Sequence, residues 1–290
     1  MSLLSRYVQK NTPCRSDVVS FNPQFLRVFE SLIPAVEIRA KQEQLFTLLE
    51  NLITQELPRA RLFMYGSCAN TFSLFESDID ICLHLGDNNV DKSHVLLGLA
   101  DLFRIQHFKD VQAITNARVP VLKLKDPTTG ISCDICVNNM LAVVNTKLLR
   151  DYSQIDVRVQ QLVLIVKYWA KSRKINEAYR GTLSSYSYVL MCIHFLQQRW
   201  PAILPCLQRM GTTYSTTAED IECSYFDRVK ELRNFGIRNR ENLSQLVWAF
   251  FHYWAYCHDY VNDVISVRTG DLLSKREKGW TIRVGNDRHL

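Results

Sequence analysis

Three acidic residues stand where a folding chain gains nothing from them. Asp78 and Asp80 are separated by one residue in Asp78-Ile-Asp-Ile-Cys-Leu-His-Leu85, a stretch that alternates polar and apolar. That period marks a half-buried strand and turns both carboxylates to the same face. Like charges side by side repel, so the pair gains from a cation between them. Asp134 lies between Cys133 and Ile135 in a second apolar stretch, where a bare carboxylate is costly. Oxygen donors of this kind suit Mg2+ or Mn2+. Three of them converging from strands suit a two-metal site that steadies the attacking and leaving oxygens of a phosphoryl-type transfer. Asp78, Asp80 and Asp134 are the candidate catalytic residues and metal ligands.

Ten residues separate Gly66-Ser67 from Asp78. Glycine lets the backbone approach a phosphate, and exposed N–H groups with a serine hydroxyl hold one. An Asp-x-Asp is common at exposed strand ends, and a Gly-Ser turn is commoner still. The order of strand, Gly-Ser, Asp-x-Asp strand and Asp strand is what favours chemistry.

The elements that must position these residues follow from periodicity. Asn22-Pro23 reads as an N-cap and first helical residue, opening a helix to about Leu32. Pro34 restarts it, and Leu45, Leu48, Leu49 and Leu52 carry it to about Leu57. Strands are expected at Arg61–Tyr65, Asp78–Leu85, Arg118–Lys125 and Ile131–Val137, with a helix over Lys92–Ile105. From Met140 the pattern is helical. Leu162, Val163, Val166, Trp169 and Ala170 share a face, a second helix runs from Ser184 until Pro201 stops it, and a third spans Leu243–Tyr260. The fold class is therefore α+β in two domains. A small mixed-sheet domain is expected over 58–139 and a mostly helical one over 140–290. The N-terminal helices of 1–57 are assigned to the helical domain.

Composition narrows the class. The 290 residues are 47% hydrophobic and 22% charged, the balance of a globular protein. The longest aliphatic run, Leu162–Val166, is too short to span a bilayer, so no membrane role is expected. Met1–Asn11 has no apolar core of a secretory signal. Nine scattered cysteines suit a reducing compartment, here the cytoplasm. Cys133 and Cys136 form a lone C-x-x-C without a second pair, which argues against zinc. A net charge of +6 suits a polyanion such as RNA, and equally suits solubility. A monomer is expected.

Gly66-Ser67, Asp78-Ile-Asp80 and Cys133-Asp134-Ile135 together resemble the signature of the DNA polymerase β-like nucleotidyltransferases. Three longer stretches narrow the resemblance. They are Cys133-Asp-Ile-Cys-Val-Asn-Asn-Met-Leu-Ala-Val-Val-Asn-Thr146, Val166-Lys-Tyr-Trp-Ala-Lys171 and Gly181-Thr-Leu-Ser-Ser-Tyr-Ser-Tyr-Val-Leu-Met191. These look like terminal uridylyltransferases of the caffeine-induced-death type and cytoplasmic noncanonical poly(A) polymerases. The resemblance covers nearly the whole chain. It implies a polymerase β-like catalytic domain followed by a poly(A)-polymerase-associated central domain.

Several residues take their expected roles from this resemblance. Lys167 and Lys171 share a helical face; alone they read as a solvated basic face, whereas the resemblance implies that they contact a triphosphate. Ser185 and Tyr186 open a helix, where phosphate is favoured. On its own, Tyr186 reads as a core residue with Val189, Leu190 and Ile193. The resemblance implies that it stacks on the nucleobase while Ser185 and Ser67 bind phosphate. Asn145, otherwise a cap or surface asparagine, matches the residue that reads the ribose 2′-hydroxyl. Gly66 and Thr146 complete the expected nucleotide-binding set.

The implied activity is template-independent addition of ribonucleotides to RNA 3′ ends with Mg2+ or Mn2+. UTP is the first expectation as donor, with ATP or CTP next. A catalytically inactive RNA- or protein-binding module is the competing reading, and the complete carboxylate set argues against it. Arg118, Lys123 and Lys125 either guide the RNA backbone or form the exposed face of a hairpin. The family continues into an acidic loop that reads the base edge. This sequence stops at Leu290, so either it is a fragment or its base selection is unusual.

Overall fold

The computed structural model of the chain describes residues 15–75, 77–87 and 89–280. The expectations for Met1–Asn11 and for the end at Leu290 concern stretches outside the described residues. The chain divides into two compact units. One comprises Ser31–Ser153 with Ser215–Ser224; the other comprises the described residues up to Glu30, Gln154–Tyr214 and those from Tyr225 on.

Helix α1 (Asn22–Leu32) continues directly from a 3-10 turn at Ser16–Phe21. Asn22 is thus inside a helical stretch and does not cap it. Its side-chain oxygen instead accepts a hydrogen bond from the Ser244 N–H at 3.3 Å.

The sheet unit runs α2 (Val36–Glu56), β1 (Arg61–Tyr65), α3 (Gly66–Ala69), β2 (Ile79–His84), α4 (Lys92–Ile105), β3 (Lys109–Ile114), β4 (Val121–Lys125), β5 (Ser132–Val137) and α5 (Met140–Ser153). The strand order is β1-β2-β5-β4-β3, with β2 and β5 parallel and every other pair antiparallel. Period two sorts the side chains. Ile79, Ile81, Leu83, Leu122, Leu124, Cys133, Ile135 and Val137 join Leu45, Leu49 and Ile53 of α2 and Leu96, Leu99 and Phe103 of α4 in one core. Helix α5 packs against β1, β2 and α3.

The mixed sheet with a separate helical part is the expected fold class, but the boundaries differ. The apolar stripe of α2 closes the sheet core, so Val36–Glu56 belongs to this unit and not to the helical one. Helix α5 belongs to it as well. Helical periodicity at Met140 marks a helix without saying which core it joins. Strand β3 was not expected. It is a polar edge strand with a register shift between Lys109 and Gln112, and it lacks clean alternation. Strand β4 starts at Val121 rather than Arg118, because Pro120 has no N–H to give a ladder.

The helical unit is built on α6 (Val157–Ser172), α7 (Ser185–Gln197) and α8 (Leu243–His252). Asp156, Ser184 and Asn242 cap them through side-chain oxygens. Helix α6 packs against α7 and α8. Helix α8 passes into a π-turn at Tyr253–Cys257 instead of running on to Tyr260. Two hairpins were not expected: β8 (Asp263–Ile265) with β9 (Leu272–Ser274) in this unit, and β6 (Tyr214–Ala218) with β7 (Ile221–Tyr225), whose residues Ser215–Ser224 belong to the sheet unit. No described helix is long and apolar enough to cross a membrane.

Candidate active site

A single row crosses the sheet. Tyr65 of β1 stands opposite Asp80 of β2, Asp80 opposite Asp134 of β5, and Asp134 opposite Lys123 of β4. Residues opposite one another in a sheet point to the same face. Asp80 and Asp134 are therefore neighbours on parallel strands, about 4.8 Å apart at the backbone. Asp78 lies just ahead of β2, two residues from Asp80 and exposed. The surroundings register these charges. Burial pushes the Cys133 thiol well up, and the carboxylates of Asp134, Asp80 and Asp78 add to the shift. Burial raises the Tyr65 phenol too, with Cys136 and Asp80 contributing.

The Gly-Ser turn is folded tightly onto this row. Gly66 adopts φ +72°, and a Cβ added there would overlap the Asp80 carboxylate. Glycine is thus required both for its backbone and for its missing side chain. The Gly66 N–H donates to Thr146 Oγ1 at 3.0 Å, and the Thr146 hydroxyl donates to the Ala142 carbonyl at 2.8 Å. Thr146, expected at the nucleotide, is buried and committed to holding the turn. The amide of Gly66 is likewise engaged within the fold. Asn145 sits half-buried inside α5, which rules out a helix cap.

Gln42 was missed. This buried side chain of α2 donates from Nε2 to Cys68 Sγ at 3.4 Å and to the Ser77 carbonyl at 3.2 Å. Cys68 Sγ in turn donates to the Asp78 carbonyl at 3.2 Å. One amide therefore ties the Gly-Ser turn to the segment that carries Asp78. The signal was legible, because Gln42, Leu45, Leu49 and Ile53 form one stripe at helical spacing with a lone polar member.

Cys133 and Cys136 are three apart on a strand and point to opposite faces, so they cannot share a metal. Cys136 pairs in register with Cys82, and contact with it, together with burial, pushes the Cys82 thiol up. Lys123, expected to guide RNA or to line an exposed face, forms an ion pair with Asp134. Arg118 is exposed and Lys125 is half-buried.

The remaining expected residues lie in the helical unit. Lys167 is 8% exposed, which excludes a solvated basic face for it, while Lys171 one turn on is exposed. Tyr186 is 46% exposed, whereas Val189 and Ile193 of the same helix are buried, so it is not a core tyrosine. Ser185 Oγ accepts from Asn176 Nδ2 at 3.1 Å at the start of α7.

The donor set around β2 and β5 is carboxylate only, which fits a hard divalent cation. Among the described residues, no three His, Cys, Asp or Glu side chains are already gathered as a metal-holding group. Lys123 is the positive charge beside Asp134.

The chain is similar to known proteins along most of its length. The family model for the central palm domain of mitochondrial-like poly(A) RNA polymerase matches residues 21–154, and that for Cid1 family poly A polymerase matches 242–290. The chain is 34% identical to poly(A) RNA polymerase cid11 of Schizosaccharomyces pombe, covering 90% of this chain and 53% of that protein. It is 35% identical to terminal uridylyltransferase 4 of Homo sapiens, covering 88% and 16%. It thus spans about half the length of cid11 and a smaller part of the longer enzyme. The crystal structure of Cid1 poly(U) polymerase with Mg and 3′-dATP bound matches with a TM-score of 0.82 at 30% identity, over 90% of this chain and 82% of that one. Cid1 has also been solved with its short product ApU and with the UTP analogue UMPNPP. With its palm carboxylates in register and its likeness running through both units, the chain belongs to the Cid1-type family of noncanonical poly(A) and poly(U) polymerases.

Proposed function

We propose that this chain adds ribonucleotides, without a template, to the 3′ end of RNA. The observation that carries the reading is Asp80 in register with Asp134, with the Gly66-Ser67 turn folded onto Asp80. In the reaction the terminal 3′-hydroxyl oxygen bonds to the α-phosphorus, the bond from that phosphorus to the bridging oxygen breaks, and pyrophosphate leaves. The hydroxyl proton passes to solvent water. A divalent cation held by Asp78, Asp80 and Asp134, Mg2+ first and Mn2+ next, would supply the Lewis acidity for this exchange. The chain's own residues bind and orient. Ser67 and Ser185 offer hydroxyls to the phosphates, and Lys167 and Lys171 offset their charge. Asn145 meets the ribose 2′-hydroxyl, and Tyr186 stacks on the base. Lys123 balances Asp134. We read the protein as a cytoplasmic monomer, in keeping with its scattered cysteines.

UTP is the donor we put first. Adenylyl transfer is the second reading and rests on cid11 being named a poly(A) RNA polymerase. The test is purified protein with labelled RNA, Mg2+ and each of the four ribonucleoside triphosphates separately. Extension with UTP above the others is expected. Preference for ATP overturns the donor, and no extension with any nucleotide overturns the reading. Asp80→Ala should cut extension by about a thousandfold or more, as loss of a metal ligand implies.

A further inference from the structure

Between α6 and α7 the chain carries a loop, 173–184, with an aromatic ring in solvent: Tyr179 is 81% exposed. A ring held in water contributes little to folding, yet this one is fixed. Its hydroxyl donates to Glu177 Oε2 at 2.7 Å. Arg180 Nε reaches the same carboxylate at 2.7 Å, and its guanidinium carbon lies 5.4 Å from the Tyr179 ring centre. The loop is also closed on itself. The Glu177 N–H donates to Thr182 Oγ1 at 2.8 Å, and the Thr182 hydroxyl donates back to the Glu177 carbonyl at 3.0 Å. Gly181, at φ 80°, turns the chain out of the loop. Arg173, Lys174 and Arg180 are all exposed, and Glu177 is the single acid between Lys171 and Ser184.

We infer that this loop is a platform for single-stranded RNA, with a base stacked on Tyr179 and phosphates met by Arg173, Lys174 and Arg180. The choice of RNA as the polyanion rests on the activity proposed above. The physics is general: every base has a π-face for an exposed ring, and each cation that meets a phosphate releases counterions. Holding the ring ready on a closed turn lowers the ordering cost of binding.

The experiment is fluorescence anisotropy of the full chain with labelled oligouridylate and oligoadenylate, without divalent cation so that no chemistry occurs. Tyr179→Ala should raise Kd roughly 5- to 20-fold for both oligomers, the size expected for one lost stack. Tyr179→Phe keeps the ring and should stay within about threefold of the parent. Arg173→Ala with Lys174→Ala should flatten the slope of log Kd against log salt by about 1.4, the single-strand value for two phosphates. The nucleotide KM in extension assays should not move with Tyr179→Ala. A Tyr179→Ala protein that melts like the parent and binds both oligomers equally well overturns the platform and leaves the loop to another class of partner, such as a protein. The two readings fail separately. Absence of extension by the parent overturns nucleotidyl transfer and leaves the binding result standing; unchanged binding by Tyr179→Ala overturns the platform while extension continues.

Discussion

The two faces of the five-stranded sheet come from alternate residues of the same strands and obey opposite rules. On one face Ile79, Ile81, Leu83 and Ile135 are sealed beneath α2 and α4. Side chains of that size contribute about 1.5–3 kcal/mol each by leaving water. One residue over, Asp80 and Asp134 are half-buried and set like charge beside like charge. The first face closes the core with α2 and α4, and the second carries the half-buried carboxylates beside the buried Cys82 and Cys136. At Asp80 and Ile81, adjacent on β2, the two settings stand side by side: a half-buried carboxylate and a fully buried aliphatic side chain.

The largest test of this comparison is a pair of adjacent substitutions. Ile81→Ala should destabilise by about 2–5 kcal/mol through lost burial and the cavity left behind. Asp80→Ala should change stability by no more than about 1 kcal/mol, because it removes a repelling neighbour along with whatever that carboxylate bonds. Urea unfolding of both proteins measures the difference. Equal losses would break the distinction between the faces.

A second pair separates backbone strain from crowding. Gly66 and Gly86 both have positive φ, +72° and +75°, but a Cβ at Gly86 meets nothing within 4 Å, whereas at Gly66 it meets the Asp80 carboxylate. Gly86→Ala should cost about 1–2 kcal/mol of stability, the left-handed penalty alone, and leave extension intact. Gly66→Ala should cost about 1–3 kcal/mol and also lower kcat, since Asp80 must move to make room. Thermal melts and extension rates of the two variants provide the check.

These pairs also mark what the sequence made legible. Strict alternation around Asp78-Ile-Asp80 and Cys133-Asp134-Ile135 located β2, β5 and their shared polar face, since period two is a local property. The helix over Lys92–Ile105 was legible because helical periodicity is local as well; the structure adds Asp91 as its cap. Partners distant in sequence were not legible. Nothing local says that Thr146 accepts from Gly66, or that Lys123 meets Asp134 rather than solvent. Nor did the leucine stripe of α2 state which unit it closes. Strand β3 escaped because an edge strand buries too little to impose a pattern.

Thr146 gives a smaller effect on the polar face. Thr146→Val keeps the shape and removes the acceptor for the Gly66 N–H, which should cost about 1–3 kcal/mol if that amide stays buried. Thr146→Ser retains the hydroxyl and should recover most of the loss. Equal melting temperatures for the Val and Ser variants would show that this hydrogen bond does not hold the turn.

The smallest stability effect, and the sharpest probe of the comparison, is at Gln42. It sits on the core stripe of α2 with Leu45 and Leu49, yet its amide serves the polar face through Cys68 and Ser77. Gln42→Leu extends the apolar stripe, so the gain in burial offsets much of the two lost hydrogen bonds. The net change should be about 1 kcal/mol or less. Activity should fall further than stability. With the Gly-Ser turn and the Asp78 segment no longer tied to one amide, a drop in kcat of about tenfold is expected, the size of one charge-positioning contact. Gln42→Glu has the same length but cannot donate to Cys68 or Ser77, so it should not restore kcat. If kcat instead tracks the loss of stability in both variants, Gln42 belongs to the core face alone, and the polar face positions its carboxylates without help from α2.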